Sequence, residues 1–501
     1  MFFNLSVVKK KFRLHFIFPI AQIIILITSI GCIKLGPKYR QPEFNFEIPE
    51  SYQNQFSDNI TREINDKWWD YFEDPRLNEL VEEVLANNLD LKKASARIIE
   101  VRSGFKQARA DRFPKINLQG SGQRQQISIE NQTFPSVGGI EIEREYDTYS
   151  LTIPASFELD IWGRLSSAEE AAKEALYASE ENYLTLAQSL ISEIISLYFQ
   201  VESLERRIQL MEQSIEKYTE SYSIVENRYR RGIASILDLK QAKRTLASAE
   251  SNLPSLRQEL GITQYRMSVM LGEIPESSSP RKHPEDYFEL LPPVPPGLPS
   301  ELLMRRPDIR ASEANLKALN AQIGVAKASR FPSISLTGMF GYSSSELDML
   351  FTPESELWNA AIGIFQPLFN AGKLKAGQRA AEARYQLGLA EYAKTVLNAF
   401  AEVESALLTR KEQLAKREKI LIFVEESRIA QEVAENRYER GLLEYLTVLE
   451  AQQTRYKAEE YLIMVDYAIL VNRINLHRAL GSGLTKLDKD KKYNDSQFKG
   501  F

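Results

Sequence analysis

The side chains able to carry acid–base, nucleophilic or metal chemistry are few and far apart. There are three histidines: His15 borders an N-terminal apolar run, His283 lies in a proline-rich stretch, and His477 stands by itself near the C-terminus. Neither a histidine-activated nucleophile nor a histidine metal cluster can be assembled from that set. The single cysteine, Cys32, excludes an intrachain disulfide and a thiolate zinc site. No glycine loop with a phosphate-binding lysine and no dinucleotide fingerprint occurs. Carboxylates such as Glu402 and Glu404 are two residues apart, which on a helix turns them to different sides, as solvated faces require. The inventory speaks against an enzyme and predicts no cofactor and no bound metal. The net charge of −5, with basic residues scattered among acids, gives no support to a nucleic-acid partner. With 26% charged and 43% hydrophobic residues, the chain has the composition of a folded protein rather than a disordered or polytopic helical membrane one.

Cys32 matters by its position. Lys9, Lys10, Lys11 and Arg13 precede an almost uncharged apolar run over residues 16–30, and Gly31 stands directly before the cysteine. This resembles a bacterial lipoprotein signal, with residues 1–31 removed and Cys32 acylated as the mature N-terminus; Ser29 occupies the place where a leucine is usual. An uncleaved anchor is the alternative, but the run falls short of the ~20 residues a helical span requires. An aspartate after the cysteine commonly holds such lipoproteins at the inner membrane, so Ile33 points to the outer one.

The rest of the chain must explain how it folds, and it does so twice. Arg112-Phe113-Pro114-Lys115-Ile116-Asn117-Leu118-Gln119-Gly120 matches Arg330-Phe331-Pro332-Ser333-Ile334-Ser335-Leu336-Thr337-Gly338. Asn227-Arg228-Tyr229-Arg230-Arg231-Gly232 matches Asn436-Arg437-Tyr438-Glu439-Arg440-Gly441, and Leu271-Gly272 matches Leu480-Gly481. The same motifs in the same order mean an internal duplication. The predicted organisation is a signal over 1–31, an N-terminal segment over 32–73, a first repeat over 74–275, a proline-rich linker over 276–298, a second repeat over 299–484 and a polar tail over 485–501.

Each copy has one local plan. A helix of about 35 residues ends at Phe-Pro, where proline moves its predecessor out of the helical region. Alternation then predicts strands: Ile116, Leu118 and Gly120 with Tyr149, Leu151, Ile153, Ala155 and Phe157 in the first copy; Ile334, Leu336 and Met339 with Ala360, Ile362, Ile364 and Gln366 in the second. Asn117, Gln119, Ser121, Thr152 and Ser335 form the polar side. No glycine or proline interrupts residues 165–231, a helix that would reach roughly 100 Å at 1.5 Å per residue. Within it Leu204, Ile208, Met211, Ile215, Tyr218, Tyr222, Val225 and Tyr229 recur every four and three residues, the 3.5-residue period of a left-handed coiled coil. The second copy has breaker-free stretches over 389–440 and 442–480. Gly232 and Gly441 fall where helical hairpins must turn. Four strands leave open edges that a bilayer forbids, so other chains must complete them. Three copies would give about twelve strands, enough for a membrane barrel with a wet lumen above a cylinder of helical hairpins.

Specific motifs carry a family resemblance. Gly36-Pro37-Lys38-Tyr39-Arg40-Gln41-Pro42, Trp68-Trp69 with Phe72 and Asp74-Pro75, Phe157-Glu158-Leu159-Asp160-Ile161-Trp162-Gly163-Arg164 and Arg305-Arg306-Pro307-Asp308-Ile309 resemble the signatures of TolC-like outer-membrane efflux lipoproteins, the OprM and NodT branch. The resemblance spans nearly the whole mature chain. It implies a mainly α fold of long coiled-coil hairpins with a trimeric twelve-stranded β-barrel. The homotrimer would sit in outer-membrane lipid and dock with a periplasmic adaptor and an inner-membrane pump to export small molecules. It also implies a gate at the periplasmic tip, ringed by acids from the second copy's inner hairpin. Counted from Tyr438 and Gly441, those positions are Thr447 and Glu450. Thr447 departs from the family's acid; Glu450, with Glu444 nearby, would supply charge, and the first copy keeps Asp238 at the position equivalent to Thr447. A ring of three carboxylates concentrates cations, and solvated helix faces are the plainer reading of the same residues. Leu446 and Leu449 read as coiled-coil core, while Arg228, Arg231, Arg437 and Arg440 read as carboxylate binders, adaptor contacts or solvated side chains. The competing functions are a channel for protein secretion and a lipid-anchored scaffold without a pore.

Overall fold

A computed structural model describes residues 34–54, 67–126, 145–276, 294–297 and 299–484. The signal, Cys32, His15, His283, most of the linker and the tail therefore lie outside the described residues. The chain separates into two compact units, and each takes residues from both sequence repeats. One holds Val101–Leu176, Asn315–Leu389 and the described part of Met1–Pro42; the other holds Glu43–Glu100, Tyr177–Ala314 and Ala390–Phe501 as far as described.

The first unit carries one antiparallel sheet. Its strands are β1 (Lys115–Ile116), β2 (Gln119–Gln126), β3 (Glu145–Leu159), β4 (Ser333–Ser344) and β5 (Glu356–Phe365), with β1 and β2 both on β3, then β4, then β5. β1 and β2 share one register on β3, Lys115 opposite Ser156 and Gln119 opposite Thr152, so they are the single first strand read from the sequence. The interruption lies at Asn117 and Leu118. Asn117 donates its N–H to the Pro154 carbonyl, 3.0 Å, and Pro154 has no N–H to return.

Register puts Leu151, Ile153, Ala155, Phe157 and Leu159 opposite Tyr342, Phe340, Gly338, Leu336 and Ile334. Trp358, Ala360, Ile362 and Ile364 continue that apolar face onto β5. Thr152 faces Gln119, Ser150 faces Ser121 and Ser335 faces Gly363 on the polar side. Two expectations change. Met339 pairs with Pro154 and Asn359 and so shares the polar face, because Gly338 takes the apolar position. Gln366 lies past the end of β5. At Gly341 a Cβ would collide with the Leu151 carbonyl and sit 2.6 Å from Thr152 Cα, so the pair β3–β4 closes only around a glycine.

The strand-to-helix corner explains one of the motifs. Asp160 caps the helix α3 (Arg164–Arg230) by accepting from the N–H groups of Leu165 and Ser166 at 2.9 and 2.8 Å. Arg164 binds Glu158 through two nitrogens at 2.9 and 2.6 Å, and Trp162 donates its indole N–H to the Pro332 carbonyl at 2.7 Å. Gly163 has φ +74° and a Cβ there would meet Lys34 Cα at 3.1 Å. The N-terminal segment lies equally close on α6 (Pro307–Ala328): a Cβ on Gly36 would come within 2.9 Å of Gly324 Cα, and Asn320 donates to the Pro37 carbonyl.

The second unit contains α1 (Pro75–Asn87), most of α2 (Leu89–Ala110), the greater part of α3, and α4 (Ile236–Leu271), α5 (Pro299–Arg305), much of α7 (Lys373–Glu439) and α8 (Tyr445–Ala479). Both expected 35-residue helices are broken. Asn88 divides the first, its side chain accepting from the N–H groups of Asp90 and Leu91 and donating to the Met270 carbonyl. Pro307 divides the second. The long helix is as anticipated in the first copy, whereas its counterpart α7 starts well before residue 389 and runs through Gly377 and Gly388. Gly388 is there for contact, since a Cβ would strike Leu319 Cδ1 at 2.5 Å. α3 and α7 are each 67 residues long, so the duplication extends to helix length.

The coiled-coil stripe holds. Leu204, Ile208, Met211, Ile215 and Tyr218 pack on Leu246, Ala249, Leu253, Leu256 and Leu260, while Tyr229 at the end of the stripe is exposed. Trp68, Trp69 and Phe72 are buried against Leu77, Leu80, Ile191 and Ile194, with Asp74 capping α1. Arg306 is buried and binds Asp308 at 3.0 and 2.6 Å, Glu402 at 2.8 Å and the Ala479 carbonyl at 3.1 Å. Glu402 and Glu404 are thus not simply solvated: Glu404 accepts from the Gln53 N–H at 2.7 Å. His477 is buried and stacks on Trp68, ring centroids 4.6 Å apart, rather than standing alone.

Candidate functional site

Two places hold the features a conduit needs, the hairpin tips and the sheet edges. At the tips, both copies use one turn. Gly232 has φ +75° and Gly441 φ +72°, and a Cβ at either meets nothing within 4 Å, so backbone conformation alone favours glycine. The N–H groups of Gly232 and Ile233 donate to the carbonyls of Tyr229 and Arg228, and those of Gly441 and Leu442 to Tyr438 and Arg437, all at 2.9 Å.

The next helices start differently. Ser235 and Asp238 form a capping box: Ser235 Oγ accepts from the Asp238 N–H, and the Asp238 carboxylate accepts from the Ser235 N–H and Oγ at 3.0 and 2.8 Å. Asp238 is therefore occupied in holding its own turn. Glu444 occupies the cap position of α8 without a side-chain capping bond. Glu444, Thr447 and Glu450 are all exposed, spaced by three along the start of α8. Tyr445, Val448 and Leu449 point the other way into a cluster with Val225, Ala242 and Ala434. Leu449 is core as expected; Leu446 is 41% exposed and is not, because it lies a turn-fraction away from the buried side.

The two tips are tied together by a residue whose role the sequence left undecided. Arg228 donates to the Tyr438 carbonyl at 3.0 Å and its guanidinium lies 4.5 Å from the Tyr438 ring centre. Its counterpart Arg437 is exposed, as are Arg231 and Arg440. Below this contact Gln452 donates to Ser221 Oγ at 3.0 Å and to Glu435 at 2.8 Å, and Gln431 adds a bond to Glu435 at 2.7 Å. Farther along, Arg207 and Glu460 pair at 2.9 Å, each only about a fifth exposed. The bonds between the two hairpins, Gln452 to Ser221 and Arg207 to Glu460, were not legible, since isolated polar residues in helices carry no pattern. Burial pushes the Tyr445 hydroxyl up to about 12, a hydrogen bond with Ser221 pulling the other way; burial also raises Tyr438, opposed by the Arg228 charge.

At the sheet, the outer sides of β2 and β5 have no strand beside them among the described residues. One end of the apolar face carries aromatic groups: Tyr342 contacts Phe340 and Phe351 edge-on, and Trp358 lies exposed beside Phe340. Aromatics at the end of an apolar band are how a membrane sheet meets the headgroup region.

The profile of the family described as outer membrane efflux protein matches residues 80–273 and again 298–482. The cation efflux system protein CusC of Escherichia coli strain K12 is 31% identical over 465 residues, covering 92% of this chain and 98% of its own. The toluene efflux pump outer membrane protein TtgI of Pseudomonas putida is 32% identical over 464 residues, covering 91% and 97%. Among solved structures, the open state of the Neisseria gonorrhoeae MtrE outer membrane channel superposes with a TM-score of 0.80 at 30% identity, covering 90% of this chain and 99% of that one. Two matched repeats, strand pairs at equivalent points and long helices of equal length converge on one conclusion: the chain belongs to the outer membrane efflux protein family.

Proposed function

We propose that three copies of this chain form a passive conduit in the outer membrane, through which small molecules delivered by a periplasmic adaptor and an inner-membrane pump leave the cell. The observation that carries this reading is the sheet, with an apolar face, a polar face and, among the described residues, no strand on the outer sides of β2 and β5. A bilayer supplies no partners for edge N–H and C=O groups, so closure by further copies is the stable solution. Twelve strands then leave room for a wet lumen. Acylated Cys32 anchors the chain to outer-membrane lipid. The protein catalyses no reaction and moves its cargo down a path opened by its partners.

The hairpin tips act as the gate. Glu450 is the residue placed to give it charge, with Glu444 and Thr447 on the same exposed stretch and Asp238 contributing mainly to the Ser235 cap. Relatives named for cations and for toluene resemble this chain to the same degree, which supports a cargo chosen outside it. The test is the mass of the protein purified in mild detergent. Three chains per particle is expected, and a monodisperse monomer would sink the reading.

A further inference from the structure

The hairpin partners α7 and α8 pack through a seam in which one layer has two like charges. Arg417 on α7 binds Asp466 on α8 through its Nε at 2.7 Å, and both side chains are largely buried. Seven residues back along α7 stands Arg410, and seven residues forward along α8 stands Arg473. Between antiparallel helices, opposite shifts of seven return to the same seam positions, two turns and ~10 Å away. The place of the acid is thus taken by a second arginine. Asn472, next to Arg473, donates to the Ala406 carbonyl at 3.0 Å, so the two helices remain in contact through this layer.

Arg473 is only 9% exposed and, among the described residues, makes no hydrogen bond and no ion pair. Arginine is almost never enclosed to this extent without a partner, because an uncompensated buried charge is costly. Asp466 cannot serve, being a full layer away and held by Arg417. Burial, then the Arg410 charge, pulls the Arg473 pKa down to about 10, with Tyr71 opposing, so the guanidinium stays cationic at neutral pH. One turn further along α8, His477 is 3% exposed, and neither ring nitrogen has a hydrogen-bond partner among the described residues. Arg473 and Arg410 are the charges that act on it, so the three side chains share one neighbourhood, with Trp68 stacked on the imidazole. We infer that this layer binds a small inorganic anion of the chloride class, held between the guanidinium groups of Arg473 and Arg410 and accepting an N–H from His477. The anion takes the part that the Asp466 carboxylate plays two turns away. Guanidinium groups offer several donors in a fixed fork, and a halide accepts from every side. The Arg417–Asp466 pair and the Asn472 bond hold the helices close, which favours an ion about the size of a carboxylate over an organic anion. Arg410 is half-buried and leaves a route from solvent.

Thermal melting of the purified full-length protein in mild detergent tests the site, with chloride and then gluconate as the only anion at equal ionic strength. Gluconate is too large for the layer. The wild-type midpoint should lie ~2 °C or more higher in chloride, since a ligand that binds only the folded state stabilises it. Arg473→Leu removes the unpaired charge and fills the layer with carbon, so the difference between the two salts should vanish. Coinciding midpoints for wild type, or a chloride response that survives in Arg473→Leu, would overturn the inference. Crystals grown in bromide give a reading that needs no variant. An anomalous peak beside the Arg473 guanidinium is expected, and its absence where other bromide peaks appear would overturn the site. A bromide peak there without a chloride response in melting would mean an adventitious ion only, and the inference would fall.

Discussion

Replacing Arg228 with Met keeps the side-chain bulk but deletes both the hydrogen bond to the Tyr438 carbonyl and the contact with its ring. A charged hydrogen bond is worth ~1.5–3 kcal/mol and a cation–π contact ~0.5–1 at exposed sites. Arg228 is partly exposed, so the loss should be about 2 kcal/mol, more than tenfold in the balance between joined and parted tips. The channel should then spend a larger fraction of time conducting in a planar bilayer. Gly441→Ala acts on the neighbouring turn by a different route: with open space around it, only φ +72° opposes a side chain, and the cost should be ~1–2 kcal/mol by thermal melting. His477 gives a pH signature. Its pKa lies well below the usual 6.5 because burial, then the charges of Arg473 and Arg410, disfavour the imidazolium, and neither ring nitrogen has a hydrogen-bond partner among the described residues. A depressed pKa means the unfolded chain takes up a proton that the folded chain refuses. Stability is therefore undiminished above 6.5 and falls as pH drops below it, by up to ~1.4 kcal/mol per unit. His477→Phe, which can keep the stack on Trp68, should flatten that part of the curve in melts followed by tryptophan fluorescence.

Elements were legible wherever period or backbone chemistry decided them. The 3.5-residue stripe from Leu204 to Tyr218 fixed a hairpin because its partner stripe on α4 answers it residue for residue. Gly232 and Gly441 were legible because no other residue takes positive φ so easily. The same rule misplaced the start of α7, where Gly377 and Gly388 sit inside the helix and Gly388 serves packing on Leu319. Pro254 likewise lies within α4 without ending it; Pro254 and Glu250 are both exposed there, so the carbonyl deprived of a donor can bond to water. The break at Asn88 depends on the Met270 carbonyl, far away in sequence, and no local signal predicts it. The surroundings of the acids at the tips were legible only in part. Position along α8 places Glu450 in the open, whereas Asp238, the first copy's counterpart of Thr447, is held by Ser235. In the sheet, Gly341→Val should prevent β3 and β4 from closing, because the added side chain meets backbone that cannot yield; loss of heat-resistant assembly in outer membranes is the expected readout.

For the whole molecule, we propose that further copies close the edges at β2 and β5 and that the tips, with Glu450, control a water-filled path. The duplication supports a repeated channel architecture, from two matched family segments to equal helices and equivalent tip turns. The decisive measurement is single-channel conductance in a planar bilayer, with wild type beside Glu450→Ala and a variant lacking both tip turns. Wild type should give discrete cation-preferring steps, Glu450→Ala a weaker cation preference, and the variant without tips larger and longer openings. A bilayer that stays silent even with the tip turns removed would contradict a water-filled path through the protein.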